Sequence, residues 1–287
     1  MFNKFYSPLV GAVLFLLSFN SYSQDHNLPE RYTASNKGKV YFSWGGNRGV
    51  YSKSDITFKG EHYKFTINNA TAHDKPKGWH IDYINPTRIT IPQTNFKMGY
   101  FISDHYSISI GVDHMKYVMH NNVNRIVDGY IDLPSDDVGS IYNGNYDHQN
   151  VLISKEFLKF EHTDGLNYVF AEVARFDDIS SLFNIQNTDK FQVNLTEGLG
   201  AGLLYPKTNA TLFNRERHDK FHISGFGVSG SVGLNLTFFK HFFIQGDIKG
   251  GYINMGDIKT TPNPKDSASQ HFFFAESIFS LGGIFRV

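Results

Sequence analysis

Along most of the chain, apolar and polar positions alternate with a period of two, the pattern of an extended strand with one apolar face. In HFFIQGDIKGGYINM (residues 241–255), Phe242, Ile244, Ile248 and Tyr252 fall on one face, and Gln245, Asp247 and Lys249 on the other. In residues 221–238, Phe226, Val228, Val232, Leu234 and Leu236 alternate with Gly225, Gly227, Ser229, Ser231, Gly233, Asn235 and Thr237. In the last segment Phe273, Phe279, Leu281, Phe285 and Val287 share a face, opposed by Glu276, Ser280 and Arg286. A soluble sandwich would turn its small polar face to water and would need a second sheet. A closed membrane barrel turns the apolar face to lipid and the small or charged face into its lumen, and the paired signs on the polar face fit that arrangement better.

Eight such segments are predicted, at residues 39–50, 90–102, 105–118, 166–177, 190–205, 221–238, 241–255 and 271–287. The expected fold is all-β, a transmembrane antiparallel up-and-down barrel of about eight strands. Its tight connections, Ser103–Asp104–His105 and Phe238–Phe239–Lys240–His241, follow the second and sixth segments, so both lie at one end. Short turns belong to the periplasmic end of such barrels and long loops to the outer end. Residues 51–89, 119–165, 206–220 and 256–270 are then outer loops, and 178–189 is a longer inner connection. Eight strands leave an interior that side chains fill.

The first residues change the picture by assigning a route. MFNKFYSPLVGAVLFLLSFNSYSQD carries a cation at Lys4, an apolar run from Pro8 to Phe19 and small residues at Ser21 and Ser23. This is the form of a cleavable signal peptide, and the run is short of the ~20 apolar residues of a membrane-spanning helix. The expected division is a signal peptide at 1–23, a short segment at 24–37 and a barrel at 38–287, exported to the outer membrane. Composition adds exclusions. Lys+Arg and Asp+Glu are both 27 in the 287 residues, so no basic footprint for nucleic acid is present. There is no Cys, hence no disulfide framework and no thiolate metal site.

The segments SYSQ, FEHTDGLNY, FFKHFFIQGDIKGGYINMGDI and QHFFFAESIFSLGGIFRV resemble the small eight-stranded outer-membrane barrels of Gram-negative bacteria, and more narrowly a Bacteroidetes-type set of them. The final residue departs from the commonest assembly signal, which closes on an aromatic: Val287 is last, and Phe285 lies two before it on the same face. The resemblance implies the outer membrane, with its lipid, lipopolysaccharide and barrel assembly machinery as partners. It implies no activity, because this small barrel carries adhesins, anchors, lipid-binding proteins and enzymes alike.

Candidate chemistry is sparse. Glu161–His162–Thr163–Asp164 sets a histidine beside carboxylates, an acid–base combination, yet Asp164–Gly165 is also a good turn pair. The plainer expectation is a solvated loop entering the fourth strand. His222 and Ser224 share a parity expected to face lipid near the outer rim, and resemble the His-x-Ser element of lipid A 3-O-deacylases. Gly225 stands where those enzymes continue with Asn, and no outward carboxylate is expected on the neighbouring strand. Arg215, Arg217 and Lys220 in the third outer loop are candidate contacts for lipid phosphates. Glu197 shares the lipid-facing parity of Leu195 and Leu199, and a bulge at Gly198 is expected to turn it inward. Lys97, Asp113, Asp247, Lys249 and Glu276 face the lumen with mixed signs, so mutual pairing is expected. His62, His73, His80, His148 and His162 lack ligand spacing, and the Asp residues at 128, 132, 136, 137 and 147 form no calcium loop, so neither metal nor cofactor is expected.

Two function classes follow. One is a barrel whose outer loops bind lipopolysaccharide or a surface protein or glycan partner. The other is a lipid-modifying enzyme working through the His162 cluster or His222 and Ser224.

Overall fold

The computed structural model describes residues 36–78, 80 and 92–286. The expected signal peptide and nearly all of the short segment after it lie outside the described residues, as does Val287. In chain order the strands are β1 (Lys39–Tyr51), β2 (Ser54–Lys59), β3 (Tyr63–Ala70), β4 (Ala72–His73), β5 (Thr94–Phe101), β6 (Tyr106–Met119) and β7 (Val123–Ile131). They continue with β8 (Gly144–Ile153), β9 (Leu158–Asp178), β10 (Phe191–Leu204), β11 (Asn209–Leu212), β12 (Gly225–Phe238), β13 (Phe242–Lys259) and β14 (Ser267–Arg286).

Eight of them form a closed antiparallel ring, β1-β5-β6-β9-β10-β12-β13-β14, and β14 returns to pair with β1 along the whole of β1. Each ring strand pairs with its nearest ring neighbours in sequence, which is the up-and-down barrel. Closure leaves no free edge in the ring. The alternation sorts the side chains as expected. Phe42, Met98, Ile108, Ile110, Val173, Leu199, Val228, Leu234, Ile248, Phe279 and Leu281 stand exposed on the outside, while Ser109, Asp113, Glu172, Asn194, Asn235, Lys249 and Glu276 are buried within.

Glycines and small polar residues on the lumen side let long side chains from facing strands fill it. At the end carrying the tight turns, Tyr41, Phe101, Ala174, Phe176, Phe243 and Ile284 pack into an aromatic floor, with Phe101 and Phe176 rings 5.0 Å apart. Above it lies a polar layer. Higher still, Tyr117, Leu166, Tyr168, Phe170, Met255, Phe272 and Phe274 begin a second apolar core.

That second core continues out of the ring, and here the structure corrects the sequence reading. The stretches expected to be outer loops hold β2, β3 and β4 on one side and β7 and β8 on the other. β14 runs past the end of β1, and its residues 267–270 pair with β2, from which the sheet extends through β3 and β7 to β8. The inner face of this cap buries Ile56, Phe58, Tyr63, Phe65, Ile67, Val127 and Ile131 against Phe157, Phe160 and Phe213. Fully burying one such side chain stabilises by roughly 1.5–3 kcal/mol, so a cluster this size holds a folded cap in place of mobile loops. β11 adds a short ribbon beside the start of β9.

Several boundaries also move, among them the eighth strand's, which starts at Ser267 and not at 271. The fourth ring strand starts at Leu158, eight positions before the expected 166, because β6 and β11 give its first residues partners on both sides. The sixth starts at Gly225, not at 221. The seventh runs on to Lys259, beyond the expected 255.

Candidate functional site

HTDG is not a loop entering a strand. It is an interruption within β9: Met115 pairs with Leu166 and Tyr117 with His162, so Lys116 alone faces Thr163, Asp164 and Gly165. Gly165 takes a φ of +131°, the conformation its position in the turn pair suggested. The bulge sends neighbouring side chains in opposite directions. His162 turns into the cap core and is fully buried; its Nδ1 lies 3.0 Å from Thr208 Oγ1, and its ring packs on Phe160 and Tyr117. Burial pushes its pKa down to about 3, so it is a neutral imidazole. Asp164 turns outward, where Lys207 and Arg217 lie 3.7 Å away. The expected solvated histidine is thus a core residue, and the acid–base pair of His162 with Asp164 is taken apart.

His222 and Ser224 do not share a lipid-facing side. They precede β12, and the exposed residues there are Phe221, Ile223 and Phe226. Ser224 is buried, and its hydroxyl donates to the His222 carbonyl at 3.3 Å. His222 Nε2 lies 2.9 Å from Asp257 Oδ2 instead. Partial burial works against ionisation of Asp257, but the hydrogen bonds from Lys259 and His222 outweigh it and hold the carboxyl below its usual range. Sequence reasoning missed Asp257 because it ended the seventh strand at 255. The GDIK that continues its alternation was the available signal.

Two of the three third-loop cations, Arg215 and Arg217, are engaged with protein. Arg215 donates to Asp137 at 2.7 Å through Nη2 and at 3.2 Å through Nε, approaches Asp266 at 3.8 Å, and lies over the Tyr63 ring. That pairing holds Asp137 below its ordinary range. It pins the connection between β7 and β8 to the β11 end, so Arg215 is a clamp for the cap. Arg217 bridges Asp164 and Asp219, and Lys220 stays exposed.

Among the described residues one group has the proximity for a metal ion. Asp128, Asp147 and His148 meet at a second bulge, between β7 and β8, where His148 has a φ of +48°. Spacing alone did not reveal it, because the register shift creates it. Asp128 already receives the His148 backbone N–H at 2.9 Å and the Asn68 amide at 2.5 Å, and the His148 Nδ1 lies 2.7 Å from it.

In the lumen, Lys97 donates to Glu172 at 2.6 Å and Lys249 donates to Asp113. Glu172 was missed, although it shares the parity of Tyr168 and Phe170. The cavity between these groups measures about 30 Å³ and is lined by Lys97, Asp113, Glu172, Asp247 and Lys249 among others. That is room for a few water molecules at about 10–15 Å³ each, not for an open channel. On the outer surface β10 keeps its register at Gly198, so Glu197 is not turned inward; it stands across from Arg175 of β9, which also pairs with Asp177 at 2.6 Å.

No family model matches the chain, and no curated relative does. Solved structures with a similar trace include Ail, the attachment invasion locus protein of Yersinia pestis, at 10% identity and a TM-score of 0.34 over 87% of this chain and 99% of that one. OprG from Pseudomonas aeruginosa overlaps at 10% identity and a TM-score of 0.37, over 88% of this chain and 98% of its own. Neisserial surface protein A gives 10% identity and 0.31, over 88% and 98%. At these values the closed ring of strands itself, rather than the likeness, carries the assignment of fold.

Proposed function

We propose that the chain is an outer-membrane barrel protein that presents a folded binding cap at the cell surface. The observation that carries this reading is the belt of exposed Phe, Leu, Ile, Val and Met around the whole ring. Soluble monomers rarely expose a contiguous apolar patch of more than a few hundred Å², and lipid is the solvent that accepts one. Exposed Tyr100, Tyr106, Tyr205 and Phe221 near the belt's two edges suit membrane–water boundaries. The signal-peptide pattern gives the export route, and lipid, lipopolysaccharide and the barrel assembly machinery are the partners this location implies. The narrower resemblance to a Bacteroidetes-type set rests on the quoted segments alone.

With the tight turns inside the cell envelope, the cap faces out. Its outer surface offers Asn68, Asn124, Asn145, Gln149, Asn150 and an exposed Tyr130, groups suited to a protein or glycan surface. The lipid-modifying alternative gains nothing from the geometry, since Ser224 is buried away from the His222 ring. The test is an epitope tag placed at Ser135–Asp136 or at Ser103–Asp104. Antibody should label intact cells carrying the first tag and not the second, and membrane fractions should hold the protein. Recovery from the soluble periplasm, or the reverse labelling, overturns the reading.

A further inference from the structure

The ring has no free edge, but the sheet that grows from it does. The cap sheet runs from β14 through β2, β3 and β7 and ends at β8, which pairs with β7 alone. Among the described residues no strand lies on the far side of β8, so its outward backbone N–H and C=O groups over residues 145–151 have no ladder to join. Seven of its ten residues are exposed, and no other part of the described chain covers them.

An open edge is a template for another strand, and natural sheets blunt theirs with Lys, Pro, bulges or a covering segment. GNYDHQNVLI of β8 holds neither Lys nor Pro. Its one such device is the bulge opposite Asp128, which bends the strand in its middle and leaves residues 149–153 in regular register.

The charge around this edge narrows what fits it. Residues 119–154 carry one cation of the Lys or Arg type, Arg125, against five Asp, at 128, 132, 136, 137 and 147. Arg125 is turned to the Thr71 hydroxyl, to which it donates at 2.6 Å. Arg215 offsets Asp137 at 2.7 Å. Asp132, Asp136 and Asp147 are exposed, and among the described residues none of them is in an ion pair. A second copy pairing edge to edge brings the same carboxylates with it, so like charges meet; a cationic strand meets opposite charge.

We propose that the edge of β8 captures an extended, cationic polypeptide segment of another protein. The segment adds as a further strand to the cap sheet. Its backbone fills the open ladder along residues 145–151, and its Lys or Arg side chains meet Asp132, Asp136 and Asp147. Main-chain bonds of this kind give affinity with little demand on sequence, and the charges choose the partner. Where the partner is met rests on the surface-cap reading; the edge itself is tested on purified protein.

The test uses the full-length protein folded in detergent and fluorescent synthetic peptides of about ten residues, read by anisotropy. One alternates Lys with Thr, one alternates Glu with Thr, and one is the Lys–Thr peptide with its backbone amides N-methylated. The Lys–Thr peptide should bind, and the other two should bind at least about tenfold more weakly. Asp132→Asn, Asp136→Asn and Asp147→Asn combined should weaken the Lys–Thr peptide by a similar factor and keep the heat-dependent gel shift of wild type. Hydrogen exchange at residues 145–151 should slow when that peptide is bound. Equal binding of the methylated peptide overturns the proposal, because charge alone then holds it. Equal binding of the Glu–Thr peptide, no binding of the Lys–Thr peptide, protection confined to another surface, or a dimer through β8 that excludes the peptide overturns it as well. Should the combined variant fail to fold, the peptides on wild type decide alone. Tagging on intact cells judges the exposure of the cap separately, so failure of one reading is told from failure of the other.

Discussion

At the residue scale, Asp164 shows how one torsional irregularity reassigns a side chain. In a regular strand it would have shared the inward face of Phe160, His162, Leu166 and Tyr168. The three-to-one bulge turns it outward, and His162 stays a space-filling group beside Phe160 and Tyr117. Truncating it to Ala should cost roughly 2–5 kcal/mol, the range for removing a large buried side chain, whereas His162→Phe keeps the volume and should cost less. Its neutrality fixes a pH dependence. The folded value lies near 3 and the unfolded one near 6.5, so the stabilisation is complete above pH 6.5 and is lost as pH falls below it, when only the unfolded chain takes up the proton. Between about pH 6.5 and pH 5 the loss should reach about 2 kcal/mol. Urea midpoints of the cap at these two pH values, in wild type and His162→Phe, check this: the variant should lose less. Gly165→Val forces a β-branched residue into a positive φ against Asn167 and His114. About 1–3 kcal/mol of strain should appear as a lower yield of folded barrel on gels.

At the element scale, the alternation that revealed the ring was also present in the cap. SDITFKGEHYKFTI places Ile56, Phe58, Tyr63, Phe65 and Ile67 on one face across a short turn at Gly60. It was passed over because long connections in small barrels are outer loops, and a prior about topology outweighed a local pattern. Glu172 carried the same signal, two residues beyond Phe170 on the face that turns into the lumen. Neither bulge could be read, because a register shift depends on the partner strand and leaves no period in its own sequence. The tight turn between β12 and β13 is a further surprise: Phe239 and Lys240 both have positive φ, at 52° and 70°, a geometry that an Asn–Gly pair serves best. The double substitution Phe239→Asn with Lys240→Gly should raise the urea midpoint, by about 1 kcal/mol for the relieved backbone. Lys240 would give up an exposed bridge to Asp189 of small value, so the gain should survive its loss.

For the whole molecule, the apolar belt and the polar lumen follow from one rule of parity and were legible before any coordinates; the aromatic floor of Tyr41, Phe101, Phe176 and Phe243, which puts apolar groups on the inward face, was not. What parity could not supply was the lumen's closure at both ends. With the floor below, the core above and room for only a few water molecules between, the barrel should carry no steady ionic current. Planar bilayer recordings of the purified protein should show none, and a stable open conductance would contradict the filled interior. The half-buried Glu197 beside Arg175 also belongs to this scale. It is a charged spot near the inner edge of the belt, where headgroups and water are within reach of long side chains, and it needs no inward rotation.

The join between β14 and β2 has a bearing on biogenesis. The cap's first strand lies near the start of the chain, yet it pairs with residues 267–270 close to the end. So the cap sheet has no anchored edge until the last strand has arrived beside the first. Loop-closure entropy delays such distant pairings, and the early hairpin of β2 and β3 must wait, unanchored, through the passage of the intervening strands. An antibody that recognises the cap only in its folded form would therefore count finished barrels, and the interval between secretion and its binding would clock the final step of insertion in living cells.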